Sequence, residues 1–133
     1  MEAARQLVSD YRASWETVIR NEAPLAELDR YFNVPCFMVS LDGVMTLYAS
    51  PPEITAFNQS RLDAFRAGKV HNASLRAVDV LSQGSHLTLA IVNWELTCVD
   101  GSLERAWRHY YTIVTGEIGA APAIVISAFQ MGS

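Results

Sequence analysis

Residues 92–114 read VNWELTCVDGSLERAWRHYYTIV. Two runs rich in β-branched and aromatic residues flank Asp100-Gly101, the strongest short-range hairpin signal a sequence carries. If Asp100-Gly101 is a two-residue turn, Val99 lies opposite Ser102 and the register follows. One face then carries Trp94 against Trp107, Val92 against His109, Ala90 against Tyr111 and Thr88 against Ile113. The other carries Glu95/Ala106, Asn93/Arg108, Ile91/Tyr110 and Leu89/Thr112. The first face is aromatic and mostly apolar, which assigns it to the core. A one-residue bulge would exchange the faces beyond it.

Working outward, residues 71–82, 86–99, 103–115 and 122–131 read as strands, separated by Gly84, Gly101 and the Gly116–Gly119 region. A second hairpin pairs Cys36–Leu41 with Val44–Ala49 around Asp42-Gly43. Helices come first. Over residues 2–20, Leu7, Val8, Tyr11, Trp15, Val18 and Ile19 recur at three- and four-residue steps and form one apolar stripe. Pro24 opens a shorter helix that turns Leu25, Leu28, Tyr31 and Phe32 inward and ends before Pro35. Ser50-Pro51-Pro52-Glu53 reads as a capping box opening a third helix to Ala67, with Ile54, Phe57, Leu62 and Phe65 inward and Gly68 closing it. Helices grouped against hairpin-linked strands specify an α+β domain: one strongly bent antiparallel sheet wrapped around three helices, with Trp15 inside. Strands this long bend in a small domain, and a bent sheet leaves room for a pocket.

The chain's 133 residues suit a single domain, 1–133. Half the residues are hydrophobic and 18% are charged, slightly apolar for a lone subunit, so a homodimer built sheet to sheet is expected. A net charge of −4, with the 10 Lys and Arg scattered, speaks against nucleic-acid binding, which needs a basic footprint. No apolar run reaches membrane-spanning length and no secretory leader is evident. The expected setting is cytoplasmic, with Cys36 and Cys98 as reduced thiols. The Asn58 and Asn72 sequons then read as chance matches.

The whole chain resembles the nuclear-transport-factor-2-like superfamily, in its SnoaL-like and ketosteroid-isomerase-like subgroup. The resemblance rests on the element order and on three stretches: YFNVPCFMVSLDGVMTLYAS (31–50), VNWELTCVDGSLERAWRHYYTIV (92–114) and APAIVISAFQ (121–130). Where that subgroup often carries Gly-Trp-Arg-Ile, this chain has Ala120 to Ile124. The resemblance implies a cone-shaped, cystatin-like α+β barrel. If the protein is an enzyme, it implies proton-transfer isomerisation, cyclisation or dehydration.

His109 is the candidate acid/base, because imidazole titrates near neutral pH. The competing reading is a hydrogen-bonded histidine in an apolar wall. Tyr111 is its candidate hydrogen-bond donor. Tyr11, Trp15, Tyr48, Trp94 and Trp107 are candidate ligand-binding residues, each with core packing as the alternative. No acid is placed to complete a ketosteroid-isomerase-like pair. Asp42 and Asp100 serve turns, Asp79 has no assigned face, and Glu95 falls on the outer face beside solvent or Arg108. His71 and His86 flank turns, and Cys36 reads as a buried, inert thiol. No metal or cofactor is expected, since no His and Cys spacing suits a metal. The expected ligand is a small, hydrophobic, uncharged or weakly acidic molecule. The alternative class is a non-enzymatic dimerisation or ligand-sensing module.

Overall fold

The computed structural model describes residues 2–115 and 121–130; the Gly116–Gly119 separator and the last residue assigned to the final strand lie outside them. Helix α1 (Glu2–Ile19) is followed by a 3-10 helix (Leu25–Tyr31), β1 (Phe32–Val39), β2 (Met45–Tyr48), α2 (Pro51–Ala67), β3 (Val70–Ser82), β4 (Leu87–Cys98), β5 (Leu103–Val114) and β6 (Ala123–Phe129). The six strands form one curved, unclosed sheet in the order β2-β1-β6-β5-β4-β3. The α1 stripe is buried as the spacing requires, from Leu7 to Ile19 with Trp15 5% exposed. Burial of each such large side chain stabilises the fold by about 1.5–3 kcal/mol. Among the described residues, no helix is long and apolar enough to cross a membrane.

The sheet is not wholly antiparallel. β1 and β6 run parallel, with Phe37 beside Ile126 and Val39 beside Ala128. Turn signals fix only strands that follow one another; β6 arrives from the far end of the chain and inserts between β1 and β5. The second helix is a single 3-10 element, and β1 begins at once at Phe32 and passes through Pro35. At α2 the Ser50 side chain makes no cap hydrogen bond. Half of the expected box survives one residue earlier, where Ala49 N–H donates to Glu53 Oε2 at 2.6 Å. Gly68 ends the helix at φ −84°, and Lys69 takes the left-handed turn at φ +61°. A methyl group at residue 68 would come within 2.7 Å of the Glu104 carboxyl, the far end of an exposed side chain that can move aside.

Both Asp-Gly turns are three-residue loops with glycine in the left-handed region. Gly43 N–H donates to Ser40 O and Gly101 N–H to Cys98 O, at 2.9 and 3.0 Å, with φ +86° and +85° at the glycines. This is the type I turn with a bulge, not a two-residue turn. In the second hairpin Cys98 therefore aligns with Ser102, yet one extra residue on β5 near Glu104 restores the expected register. Trp94 faces Trp107, Val92 faces His109, Ala90 faces Tyr111 and Thr88 faces Ile113. On the outer face Glu95 pairs with Arg76 at 3.1 Å, while Arg108 Nε donates to Asn93 Oδ1 at 3.3 Å, so the Glu95–Arg108 contact is not made.

α1 also protects a sheet edge. β3 is an edge strand whose outward backbone groups would otherwise invite another chain. Arg5 donates to Val78 O, Arg12 to Ala73 O and Arg20 to His71 O, and Glu16 accepts from Ala73 N–H. Two of these arginines, Arg12 and Arg20, are held by Glu16 on the same helix face.

Candidate functional site

The concave face holds an open cleft of about 1040 Å³. The β1–β2 hairpin supplies Met38, Val44, Thr46 and Tyr48; α2 supplies Phe57 and Arg61; β5 and β6 supply Arg105, Trp107, His109, Ser127 and Phe129. Behind it lies a space of about 40 Å³ among Tyr11, Trp15, Phe65, Trp94 and Tyr111, large enough for a water or two. Phe57, Arg61, Trp107, His109, Ser127 and Phe129 border both and form the partition between them.

Strand register sets this partition. His109 faces Phe129 across β5–β6, and Tyr111 faces Ser127. A shift between Thr112 and Ile113 lets β6 slip by one residue, so buried Ile124 and Ser127 share the inner face despite their odd spacing. Trp94 stacks on Trp107 with ring centroids 6.0 Å apart, and Phe129 lies 4.7 Å from the His109 ring.

The hydrogen bonds fix the protonation of His109. Trp107 Nε1–H, which can only donate, reaches His109 Nδ1 at 3.0 Å. Nδ1 is therefore unprotonated, Nε2 carries the hydrogen, and Nε2–H donates to Ser127 Oγ at 2.8 Å. Burial, with the nearby Arg61 charge adding to it, pushes the histidine down to about 3. His109 is a neutral imidazole whose lone pair is already used. Ser127 accepts that bond and keeps its own O–H to donate. Tyr111 is built the same way: Trp94 Nε1–H donates to Tyr111 Oη at 2.8 Å, which leaves the phenol hydrogen to point elsewhere. Burial holds Tyr111 and Tyr11 well above the usual tyrosine range.

The seven sequence candidates divide by depth. Tyr48 and Trp107 are partly exposed on the outer cleft, with Tyr48 edge-on to Phe57 at 5.4 Å. Tyr11, Trp15, Trp94 and Tyr111 are each 5% exposed or less and line the inner space. His109 borders both, itself 5% exposed. Sequence reasoning missed Arg61, Arg105, Ser127 and Phe129. Arg61 was legible: with Phe57 and Phe65 it repeats at four-residue steps on the inward face of α2. Ser127 was not, because the β6 slip that turns it inward leaves no mark in the pattern.

Arg61 is half-buried, its guanidinium 5.3 Å from the Phe65 ring centroid and 5.0 Å from that of Phe129. Burial and the neighbouring Arg105 lower its proton affinity. Asp42, on the rim, is fully exposed, and its carboxyl is held low by the hydrogen bond from Ser40. Among the described residues no group of three or more His, Cys, Asp or Glu is placed to hold a metal ion.

A helix-lined curved sheet with a cleft on its concave side defines the cystatin-like α+β class. The chain belongs to the family described as NTF2-like protein (DUF6841), whose model matches residues 1–125. Its fold is similar to that of an NTF2-like protein with a cystatin-like fold from Novosphingobium aromaticivorans, at 15% identity and TM-score 0.70, over 96% of this chain and 79% of that one. It is also similar to a protein from Shewanella frigidimarina provisionally assigned as a ketosteroid isomerase, at 8% identity and TM-score 0.67, over 96% and 94% of the two chains. A third similar fold is yeast Bre5, a UBP3-associated protein, at 13% identity and TM-score 0.66, over 97% and 98%. At such identities the likeness concerns the fold alone. The search of curated proteins returned no match.

Proposed function

We propose that this protein binds a small hydrophobic molecule in the outer cleft and works as a binding module, not as an acid–base catalyst. The observation that carries this reading is the cleft itself, about 1040 Å³ of open space walled by Tyr48, Phe57, Trp107 and Phe129. Pockets of about 300–1,000 Å³ with mostly apolar walls and a few placed polar groups are the usual form of a ligand site. A saturable, one-to-one rise in the fluorescence of N-phenyl-1-naphthylamine, lost in Thr46→Trp, is the expected result. An unsaturable response, or one unchanged by filling the cleft at Thr46, overturns the proposal.

Proton-transfer catalysis is the second reading. Ser127 and Tyr111 favour it, since two oriented hydroxyl donors can polarise a carbonyl. Against it, His109 does not supply the base, because its lone pair is taken by Trp107.

The convex face supports self-association with a second copy of the chain. Leu47, Phe37, Ile126, Thr112, Leu89 and Leu81 align in register across all six strands. Leu47, Phe37, Ile126 and Leu81 are between 37% and 54% exposed. Six strands at a spacing of about 4.8 Å, averaging about nine residues, make a face of roughly 900 Å². A standard interface needs about 800 Å² per partner. The edges offer less: β3 is covered by α1, and β2 is only 4 residues long. A cytoplasmic setting accords with the free thiols of Cys36 and Cys98.

A further inference from the structure

We propose that the site takes the carboxylate of a small organic acid and that Arg61 is the residue that holds it. This rests on the cleft-binding reading and deepens it, by naming the chemical class of the ligand. Arg61 is a half-buried charge without a counter-charge among the described residues, its head bordering the cleft. Four other arginines, Arg12, Arg20, Arg30 and Arg76, sit within salt-bridge distance of a glutamate. Among the described residues Arg61 has neither a carboxylate partner nor a hydrogen-bond acceptor; it is steadied only by the two phenylalanine rings. A second cation, Arg105, lines the same cleft.

Two uncharged groups on the walls that Arg61 borders are free to donate. Ser127 Oγ already accepts from His109, and Tyr111 Oη already accepts from Trp94, so each has a hydrogen left to give. Ser127 and Tyr111 are cross-strand partners on the inner face. Tyr111 and Arg61 line the same inner space. Donors that lack acceptors, gathered around an uncompensated guanidinium, select a planar acceptor that carries negative charge. A carboxylate meets that description, since its two oxygens accept from a guanidinium fork and from further hydroxyls. Arg61 stands at the inner end of the cleft, so the organic body would extend outward between Phe57 and Trp107. His109 then acts as a positioning residue that turns the Ser127 hydrogen toward the ligand.

The test compares 2-naphthoate with its uncharged isostere 2-naphthamide by quenching of tryptophan fluorescence in the full chain. The acid is expected to bind one-to-one and at least tenfold more tightly than the amide. Arg61→Met keeps the apolar stem between the rings and should weaken the acid at least tenfold, and by much more than it weakens the amide. Arg61→Lys should recover part of the loss. Should Arg61→Met fail to fold, Ser127→Ala serves instead, with an expected threefold or greater loss for the acid that exceeds the loss for the amide. Equal binding of acid and amide, or an acid affinity indifferent to these variants, overturns the carboxylate assignment while leaving the cleft reading intact. Displacement of naphthoate by inorganic phosphate at equal affinity overturns it too, by showing a general anion site. Failure of naphthoate, naphthamide and the neutral naphthylamine together overturns both readings.

Discussion

Protonating His109 should unfold this protein from the inside, and the size of the effect can be worked out. In the folded chain its value is pushed down to about 3 from an ordinary 6.5. An added proton would have to sit on Nδ1, where it would break the Trp107 hydrogen bond and place a cation beside Arg61. The unfolded chain accepts the same proton freely. Between those two values the unfolded state therefore binds more protons than the folded state. Stability from this group is complete above about pH 6.5 and declines as the pH falls through the window. The slope approaches about 1.4 kcal/mol per pH unit, so at pH 4.5 the loss is about 2.7 kcal/mol. That is a substantial part of the roughly 5–15 kcal/mol a domain possesses.

Urea denaturation between pH 7.5 and 4.5 measures this directly, with His109→Gln as the reference. The glutamine variant keeps a side chain able to accept from Trp107 and donate to Ser127 but cannot titrate. Groups common to both proteins cancel in the difference. The wild type should lose about 2–3 kcal/mol more than the variant over this range. Nitrogen-15 spectra of the ring should show the Nε2–H tautomer at neutral pH and no titration down to pH 4.5. Parallel stability curves for the two proteins, or a ring titration centred near 6.5, would refute the account of a sealed neutral histidine.

Cys36 is fully buried and its thiol is pushed up to about 12 by burial, so native protein at pH 8 should show fast Ellman's reaction at Cys98 only, and at both cysteines in guanidinium. Gly101→Ala should cost about 1–2 kcal/mol from backbone strain alone, because φ is +85° and an added methyl meets nothing within 4 Å; chemical denaturation reads it. Leu28, with no exposed surface, should cost about 2–5 kcal/mol as Leu28→Ala, measured the same way. Phe37→Lys combined with Ile126→Lys should convert a dimer to a monomer in sedimentation velocity at micromolar concentration, with the melting temperature of the monomer fold largely preserved; a wild-type monomer refutes the convex-face interface.

Much of the fold was legible because local signals and global pattern agreed. The α1 stripe from Leu7 to Ile19 has one buried face in any arrangement, and the three long consecutive strands β3, β4 and β5 could be bounded by their glycines. The register of β4 on β5 is more instructive. The expected two-residue turn is in fact a three-residue loop, and that difference alone would have turned His109 and Tyr111 outward. The bulge near Glu104 restores the alignment, so the inner face of the hairpin was right although the turn was wrong. An alternating pattern as strong as Trp94, Val92, Ala90 against Trp107, His109, Tyr111 selects its register by burial, and the turn adapts to it. The parallel pairing of β1 with β6 had no such local trace. It is a long-range contact, made because β6 is the last strand and the gap between β1 and β5 is the place left for it.

The site divides along the same line. Aromatic candidates were found because size and apolarity announce burial, but burial is what most of them do: Tyr11, Trp15 and Trp94 pack on one another, with Tyr11 edge-on to both tryptophans at 6.5 and 6.1 Å. The group proposed to offer a ligand most is one that stands within a hydrophobic stripe. Arg61 sits between Phe57 and Phe65 on the inward face of α2, and its long stem satisfies the stripe while its head does not. A charge embedded in an apolar helical face is a sharper pointer to function than another aromatic beside it, because the aromatic lowers the free energy of the fold by being buried and the unpaired charge raises it. His109 shows the converse. Its type suggested chemistry, but its chemistry is consumed by Trp107 and Ser127. What remains of it reaches the cleft through the serine hydrogen that it orients. The groups proposed to meet a ligand, Arg61 on α2, Tyr111 on β5 and Ser127 on β6, are ones whose hydrogen bonds the fold leaves incomplete, and of these Ser127 alone left no mark in the pattern, because the β6 slip turns it inward.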